Sequence, residues 1–473
     1  MAFGQNLINR FTDGTLVRDQ DYRISASVRL ADANASGEVG IQIRYKDDRP
    51  TQYPWIARQT ITGSEWTELE AGFRVGFSGD LEELEIHIIG LNGDAGLYVD
   101  DVQMVAYDWR TAADDRIEEH RKRDAQLSFV DASGAAVDVA SVQIEQVSSE
   151  FGFGTAVHTG NLDIPEYTDF VTEHFEWVVA ENSWKWSFNE ATRGEEVYDD
   201  ISASALQTLT ADGFAEFATA NDLNVRGHAV LWSSDFGSPQ WAFDIDTSTL
   251  AGQQELLDEV NDRINSIVTR YDGVVTHWDV VNEILVDDFL RESLDSISES
   301  GSIIVDVFNT VKELDPEAEL FLNEFNVLNG GGHLGQYREL IDDLVAAGAP
   351  VEGIGFQSHF YEVPAISSVA LENYIGEFTD LNLPLWITEF DNRRLDLAER
   401  TKDLEVFYRT IFSLPEVDGA LMWGFWEGAD IDASYFDRGG IWVGEGAALV
   451  NSDWTVNDAG QMFIDLRLSL IHI

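Results

Sequence analysis

Hydrophobic residues follow a period of two in the first part of the chain. Over residues 1–107, apolar and polar positions alternate in short runs that Gly, Asp and Asn separate. Such alternation buries one face of a strand and leaves the other face in solvent. The runs are residues 22–30, 39–45, 52–61, 66–75, 84–89 and 97–105. We therefore predict that residues 1–107 form an all-β module of the sandwich or jelly-roll type.

The pattern changes after this module. Residues 108–126 are polar and favour a helical connector, and residues 127–146 resemble a hairpin. Buried apolar runs then alternate with amphipathic stretches of helical period. The runs are residues 152–157, 177–181, 224–231, 274–281, 319–323, 353–358, 384–388 and 419–424. These β/α units predict an α/β fold, a (β/α)8 TIM barrel over residues 127–466. Residues 467–473 fit no predicted barrel element and form a tail of uncertain origin.

Two of the predicted strands end in a carboxylate. The fourth run leads into Asn282-Glu283, and the seventh leads into Glu389. A carboxyl group at the exit of a buried strand lies where burial and neighbouring charges can raise its pKa, as a general acid near neutral pH requires. Because the active site of a TIM barrel lies at the carboxyl ends of its strands, we predict that Glu283 and Glu389 act as acid and nucleophile.

Polar and aromatic residues occupy most of the other strand ends. Such a set donates and accepts hydrogen bonds and offers indole faces, which is the usual chemistry of sugar recognition. The candidate substrate-binding residues are Glu181, Asn182, Lys185, His228, Trp232, Asn282, Gln357, His359, Trp423 and Trp426. Packing inside the barrel is the alternative role for His228, His359, Trp232 and Trp423, and zinc ligation is a further alternative for the two histidines.

The composition is strongly acidic, with 86 Asp and Glu against 29 Lys and Arg and a net charge of −57. Self-repulsion of this size destabilises a compact chain in dilute buffer, whereas a Debye length of roughly 3 Å at 1 M salt screens it. We therefore expect adaptation to high salt, a monomer, and no nucleic-acid partner, because a basic face is missing. With no long apolar run and no cysteine in the sequence, we expect no membrane span, disulfide or thiolate metal site.

Seven motifs in order resemble the catalytic domain of glycoside hydrolase family 10, the endo-β-1,4-xylanases. They are F-G-T-A-V (153–157), A-E-N-S-W-K-W (180–186), R-G-H-A-V-L-W (226–232), W-D-V-V-N-E (278–283), L-N-E-F-N (322–326), G-I-G-F-Q-S-H (353–359) and W-I-T-E-F-D (386–391). The sequence departs from many members after Trp232, where it continues S-S-D-F instead of with a histidine. Its W-G-F-W-E-G stretch (423–428) is similar to the branch that includes plant enzymes.

The resemblance implies retaining, endo-acting hydrolysis of internal β-1,4-xylosidic bonds in xylan. Glu283 would be the acid/base and Glu389 the nucleophile, and the ten binding candidates would line the sugar subsites. The expected partner is therefore the polysaccharide substrate, and no metal ion or organic cofactor is expected. Because a xylan polymer cannot enter a cell, we expect secretion.

The N-terminal strands resemble carbohydrate-binding modules of family 22. The resemblance lies in the strand at residues 22–30, in the strand that begins at Trp66, and in the closing L-Y-V-D-D-V (97–102). The residues before Tyr22 are too few for the opening strands of that module, so we expect the sequence to begin inside a longer gene product. Tyr53 and Trp55 share one strand face and either stack on sugar rings or belong to an ordinary core.

Other function classes fit parts of the same pattern. A retaining glycosidase that acts on another β-1,4-glycan, such as a glucan or a mannan, would use the same pair of carboxylates. A non-catalytic polysaccharide-binding protein would keep the cleft, although the retained Glu283 and Glu389 argue against it. A metal-dependent amidohydrolase on this barrel ranks lower, because His158 stands alone after the first strand without a His-x-His motif.

Overall fold

The computed structural model describes residues 7–11, 16–47, 50–63, 65–76, 83–90, 96–123, 126–139, 141–142, 149–199, 210–330, 332–360, 365–394, 396–428 and 448–470. It contains an all-β module followed by a barrel. Among the described residues, no helix is both long enough and apolar enough to cross a membrane.

The module is a sandwich of two antiparallel sheets, as predicted. One sheet has the order β1-β6-β3-β4 and the other β5-β2-β7. The strands are β1 Leu7–Phe11, β2 Asp21–Leu30, β3 Ser36–Lys46, β4 Trp55–Thr62, β5 Thr67–Arg74, β6 Glu83–Gly90 and β7 Leu97–Tyr107. Alternate side chains of β2 and β3, such as Ile24, Val28 and Ile41, fill the space between the sheets. The structure adds β1, which lies before the first predicted strand and pairs with β6.

A single helix leads from the module to the barrel. This helix, α1 (Trp109–His120), lies within the predicted connector and buries Ala113 and Ile117. In the predicted hairpin that follows, Val130 pairs with Ala136 in an antiparallel bridge around a turn. Residues 140 and 143–146 of this stretch lie outside the described residues.

Eight parallel strands close into the predicted TIM barrel. They are β8 Gly152–Val157, β9 Trp177–Ala180, β10 Asn224–Trp232, β11 Val275–Asn282, β12 Glu319–Glu324, β13 Gly353–Phe356, β15 Leu385–Asn392 and β16 Val417–Met422. Each begins within about two residues of its predicted start, because buried parallel strands give continuous apolar runs. The ring closes where β16 pairs with β8, and the short β14 (His359–Phe360) extends the edge of β15.

Helices surround the barrel. The longer ones are α2 Pro165–His174, α4 Ala211–Ala220, α6 Leu250–Arg270, α8 Ile303–Leu314, α9 Leu334–Ala346, α10 Ser368–Gly376, α11 Leu397–Ser413 and α12 Asp458–Leu470. Short ones are α3 Trp186–Asn189, α5 Gln240–Phe243 and α7 Phe289–Leu294, with 3-10 turns at Thr159–Asn161 and Thr379–Leu381. The last helix runs four residues into the expected tail, and Arg467 forms an ion pair with Glu176 beneath the barrel. Residues 467–470 thus continue a barrel helix.

The module is docked on the barrel through buried contacts. The outer face of β5 rests on α10, where a Cβ at Gly72 would collide with the backbone nitrogen of Ala370. The Tyr374 hydroxyl donates a hydrogen bond of 2.7 Å to the carbonyl of Ile56. Asp21 at the start of β2 is fully buried and accepts hydrogen bonds from the first turn of α10. The two parts therefore meet in a buried interface, while each keeps its own hydrophobic core.

Candidate active site

The two predicted carboxylates lie at the same end of the barrel and are linked by amide side chains. Glu283 directly follows β11, and Glu389 lies within β15. Asn323 Nδ2 donates to Glu389 Oε1 at 2.7 Å and to Asn282 Oδ1 at 3.0 Å. Gln357 Nε2 donates to Glu283 Oε1 at 2.8 Å and to Asn282 Oδ1 at 3.3 Å. A continuous chain of hydrogen bonds thus joins the carboxylates across four strands.

Glu283 has the electrostatics of a general acid. Burial raises its pKa to about 7, and the negative charges of Glu389 and Glu324 act in the same direction. The hydrogen bond from Gln357 and the charge of His359 oppose this shift without cancelling it. Its backbone adopts φ 55°, an unusual conformation for a residue with a side chain. Glu283 therefore keeps its proton up to neutral pH.

Glu389 has the electrostatics of a nucleophile. Burial alone would raise its pKa, but the charge of His228 and the hydrogen bond from His359 hold it below the ordinary value of 4.5. His359 Nε2 lies 3.4 Å from Glu389 Oε2, and His228 Nδ1 lies 3.9 Å from Oε1. Burial lowers the pKa of His359, but the charges of Asp391 and Glu389 outweigh this effect and raise the pKa to about 10. Glu389 thus stays ionised beside a carboxyl group that stays protonated.

A buried charge network lies behind the nucleophile. Asp279 Oδ2 accepts a hydrogen bond of 2.9 Å from His228 Nδ1, and Arg226 forms an ion pair with the same carboxylate. On the other side, His359 Nδ1 lies 3.2 Å from Asp391 Oδ2. These contacts fix the orientation of both imidazoles that face Glu389.

Polar and aromatic candidates from β9, β10 and β16 form one side of the cleft. Lys185 Nζ donates to Asn182 Oδ1 at 2.8 Å, and it lies 5.1 Å from the ring of Trp232 and 6.0 Å from that of Trp423. Burial lowers the pKa of Lys185 to about 8, although the nearby Glu389 and Glu181 oppose the shift. The structure therefore brings Glu181, Asn182, Lys185, His228, Trp232 and Trp423 together beside the carboxylates.

Trp426 is packed differently from the other candidates. Its indole stacks on Trp454 with ring centroids 4.1 Å apart, and its Nε1 donates to the carbonyl of Asn451. Its edge meets Tyr167 of α2. One face of the indole is thus covered by Trp454, and its role in substrate binding stays a prediction.

Several residues of the site were not among the predicted candidates. Asn323, Asp279, Asp391 and Glu324 are all buried beside the carboxylates or their histidines. Asp279 interrupts an apolar run of its strand, whereas Asn323 ends its run and Glu324 and Asp391 follow theirs. A buried charge costs free energy unless it is paired, so a charge within an apolar run marks a position that has a partner inside the barrel.

Comparison with known proteins identifies both parts of the chain. Residues 143–451 match the model of glycosyl hydrolase family 10, and residues 3–93 match that of a carbohydrate binding domain. The anti-sigma-I factor RsgI6 of Acetivibrio thermocellus is 35% identical over 358 residues, which are 76% of this chain and 42% of that protein. Endo-1,4-beta-xylanase 2 of Arabidopsis thaliana is 28% identical over 454 residues, 94% of this chain and 39% of that protein. The chain thus spans about two fifths of the length of these relatives.

Solved structures share the architecture. A Thermobacillus composti GH10 xylanase superposes with a TM-score of 0.53 at 25% identity, over 67% of this chain and 96% of that chain. Xylanase10C from Cellvibrio japonicus, in complex with xylopentaose, has a TM-score of 0.54 at 18% identity and covers 98% of this chain and 90% of that chain. The second match extends the likeness in fold across nearly the whole chain.

Proposed function

Because the chain belongs to glycosyl hydrolase family 10, we propose that it hydrolyses internal β-1,4-xylosidic bonds of xylan with retention of the anomeric configuration. One observation carries this proposal. Two buried carboxyl groups meet at the barrel mouth, and their surroundings shift their pKa values in opposite directions. A pair with one protonated and one ionised carboxyl group is what acid-assisted nucleophilic displacement at a glycosidic bond requires.

The proposed reaction has two steps. Glu389 attacks the anomeric carbon while Glu283 protonates the departing glycosidic oxygen, which leaves a covalent glycosyl-enzyme and a shortened polymer. Glu283 then takes a proton from water, and this water displaces Glu389 from the anomeric carbon. In the covalent intermediate Glu389 carries no charge, so the pKa of Glu283 falls and the group changes from acid to base. Two displacements restore the starting configuration.

The remaining site residues hold the sugar. We assign Asn282 to the hydroxyl next to the anomeric carbon, since it lies between the two carboxylates in the hydrogen-bond chain. The buried polar groups Glu181, Asn182 and Lys185 would bind hydroxyls on one side of the scissile bond. The indoles of Trp232 and Trp423, which flank Lys185, would pack on pyranose faces.

The substrate assignment is tested by the release of reducing ends. We expect release from xylan, and slower or no release from cellulose and glucomannan. Release from either of those polymers but not from xylan would support a glycosidase for another β-1,4-glycan. Binding of xylan without release from any polymer would support a non-catalytic polysaccharide-binding protein.

The pH dependence of kcat/KM follows from the two carboxyl groups. Glu283 must be protonated in the first step, so kcat/KM falls as pH rises through about 7. Glu389 must be ionised, so kcat/KM falls at acidic pH below the ordinary glutamate pKa of 4.5. Initial rates on xylo-oligosaccharides at constant ionic strength measure both limbs. A Glu283→Ala variant on an aryl xyloside with a good leaving group is the control, and an alkaline limb near 7 that persists there contradicts the assignment.

We also propose adaptation to high salt, because the net charge is −57. Some surface arginines pair with two carboxylates each, as Arg338 does with Asp342 and Asp380. Molar salt screens the remaining repulsion, with a Debye length of roughly 3 Å at 1 M. We expect xylan hydrolysis in molar KCl and its loss in dilute buffer, with a parallel fall in the unfolding temperature. Equal activity and unfolding temperature in both buffers would contradict this expectation.

The N-terminal module is proposed to bind the same kind of polymer, in the manner of family 22 modules. Tyr53 is 53% exposed, and the ring of Trp55 lies over Gly40 with the Arg58 guanidinium 4.9 Å away. The carbonyl of Trp55 also borders Gly330 in the loop after β12 of the barrel. A polymer held on this face would lie near the rim of the cleft.

The proposed organisation has a module at residues 1–107, a connector at 108–126 and a catalytic domain that begins at 127 and includes the last helix to Leu470, past the predicted boundary at 466. A secreted monomer acting on a polysaccharide, without nucleic-acid or membrane partners, is the proposed setting. The polymeric substrate supports secretion, and the acidic surface supports a monomer.

A further inference from the structure

The carboxylate of Glu324 is fully buried beside the candidate acid, although the reaction proposed above does not use it. This residue ends β12. Its Oε2 accepts the backbone N–H of Leu285 at 3.2 Å, and its Oε1 accepts that of Phe325 at 3.0 Å. Leu285 lies two residues after Glu283, so the carboxylate of one strand end is bonded to the turn that follows the neighbouring strand.

That turn holds Glu283 in a strained backbone conformation. Glu283 has φ 55°, in the left-handed region that residues with a side chain rarely adopt. Its own N–H donates to the carbonyl of Asn323 at 3.0 Å. A strained conformation persists only where surrounding contacts fix it, and the bond from Leu285 to Glu324 supplies such a contact.

His333, at the start of α9, faces the other side of Glu324. Its Nδ1 lies 3.6 Å from Glu324 Oε1 and 3.1 Å from the carbonyl of Phe325, and its ring meets the edge of the Phe325 ring at a centroid distance of 4.8 Å. The nearby carboxylate of Glu324 raises the pKa of His333 above 6.5. The negative charge of Glu324 therefore lies next to Glu283, and the positive charge of His333 lies on the far side of Glu324.

We propose that Glu324 and His333 are a positioning pair that holds Glu283 in its strained turn and sets the pH range over which it serves as the acid. This inference rests on the acid/base role proposed for Glu283. The turn aims the carboxyl group at the cleft, and the two charges act on it in opposite directions. The charged groups that face Glu283 are Glu389 from β15, His359 from β14, Lys185 from the segment after β9, Glu324 from β12 and His333 from α9.

Two variants, each of which removes one of the charges, distinguish their effects on Glu283. Glu324→Gln removes a negative charge, so Glu283 should lose its proton more readily and the alkaline limb of kcat/KM should move to lower pH. His333→Gln removes the cation, so the limb should move to higher pH. Each shift should be about half a pH unit or more, as expected for one charge nearby in a partly screened interior. A role in packing alone would lower kcat and leave both limbs in place.

The measurement uses the full chain. Profiles of kcat/KM against pH on xylo-oligosaccharides are recorded for the unaltered protein, for both variants and for Glu190→Gln. Glu190 is a matched control: it is also a buried glutamate, and it is bonded to Trp186 Nε1 and to the backbone N–H of Gly194. We expect opposite shifts for the two variants and none for the control.

A second readout does not need turnover. Titration of the Glu283 carboxyl by 13C NMR, with its signal identified by its loss in Glu283→Gln, should show the same opposite shifts. If the unaltered protein hydrolyses no xylan, the proposed function fails while this titration still decides the role of the pair. Unmoved titrations in both variants, or shifts in the same direction, would overturn the inference, and His333→Gln decides it alone if Glu324→Gln does not fold.

Discussion

A Glu389→Ala variant loses release of reducing ends from xylan, with a fall in kcat of at least ~10⁴-fold. The reason is geometric and electrostatic. Glu389 is the buried carboxylate that His228, His359 and Asn323 surround and keep ionised. Without it, the anomeric carbon has no nucleophile on that face, and water must attack without a covalent intermediate.

Azide distinguishes loss of the nucleophile from loss of folding. The small anion should enter the space left by Glu389 and attack an activated aryl xyloside, giving a glycosyl azide of inverted configuration. In Glu283→Ala, where the nucleophile remains, azide should instead give a product of retained configuration. Glu319→Ala is the matched control, because Glu319 begins β12 at the opposite end of the barrel and pairs with His277. Activity of Glu389→Ala within about tenfold of the unaltered protein, or about 1.4 kcal/mol in barrier, would reject the assignment.

An Asp21→Ala variant unfolds at a clearly lower denaturant concentration, with a loss of about 3 kcal/mol in the free energy of unfolding. Asp21 belongs to β2 of the module, but its carboxylate binds the barrel. It accepts hydrogen bonds of 2.7 Å from Ser367 Oγ and from the backbone N–H of Ser368, at the start of α10. Removing it leaves buried donors without an acceptor.

The negative charge of Asp21 also stabilises the buried guanidinium of Arg74. Arg74 donates to the carbonyl of Ile366 at 2.7 Å and forms an ion pair with Asp403 of α11. Its pKa is lowered to about 10 by burial, and Asp21 is among the carboxylates that oppose the shift. Loss of Asp21 therefore weakens the compensation of this buried charge as well as the cap of the helix.

Denaturant unfolding followed by tryptophan fluorescence measures the effect. Because α10 is a barrel helix, we expect the barrel transition to move together with that of the module. Asp32→Ala is the matched control: Asp32 lies in the same module and accepts the backbone N–H of Asn34 at 2.9 Å, but in an exposed turn. It should cost no more than about 0.5 kcal/mol. An Asp21→Ala midpoint equal to that of the unaltered protein would show that the two parts do not depend on this contact.

The architecture could be predicted from local patterns in the sequence, and so could the position of two carboxylates at strand ends. Alternation with a period of two is a local property of a half-buried strand, so β2 to β7 were predicted close to their actual ends. Continuous apolar runs marked the barrel strands in the same way, and the step from apolar run to carboxylate marked Glu283 and Glu389. Family 10 membership, expected from the seven motifs, was confirmed over residues 143–451.

The surroundings of that pair depend on contacts between residues that are far apart in the sequence. Asn323 reaches Glu389 across 66 positions of sequence, and Asp21 reaches Ser368 across 347. The opposite pKa shifts of Glu283 and Glu389 arise from burial and from charges on other strands, and no local pattern encodes those distances. The stacking of Trp426 on Trp454, 28 positions further along the chain, is likewise a tertiary contact that no local pattern encodes. Local periodicity fixes which residues face inward, whereas electrostatics and packing depend on which inward-facing residues meet.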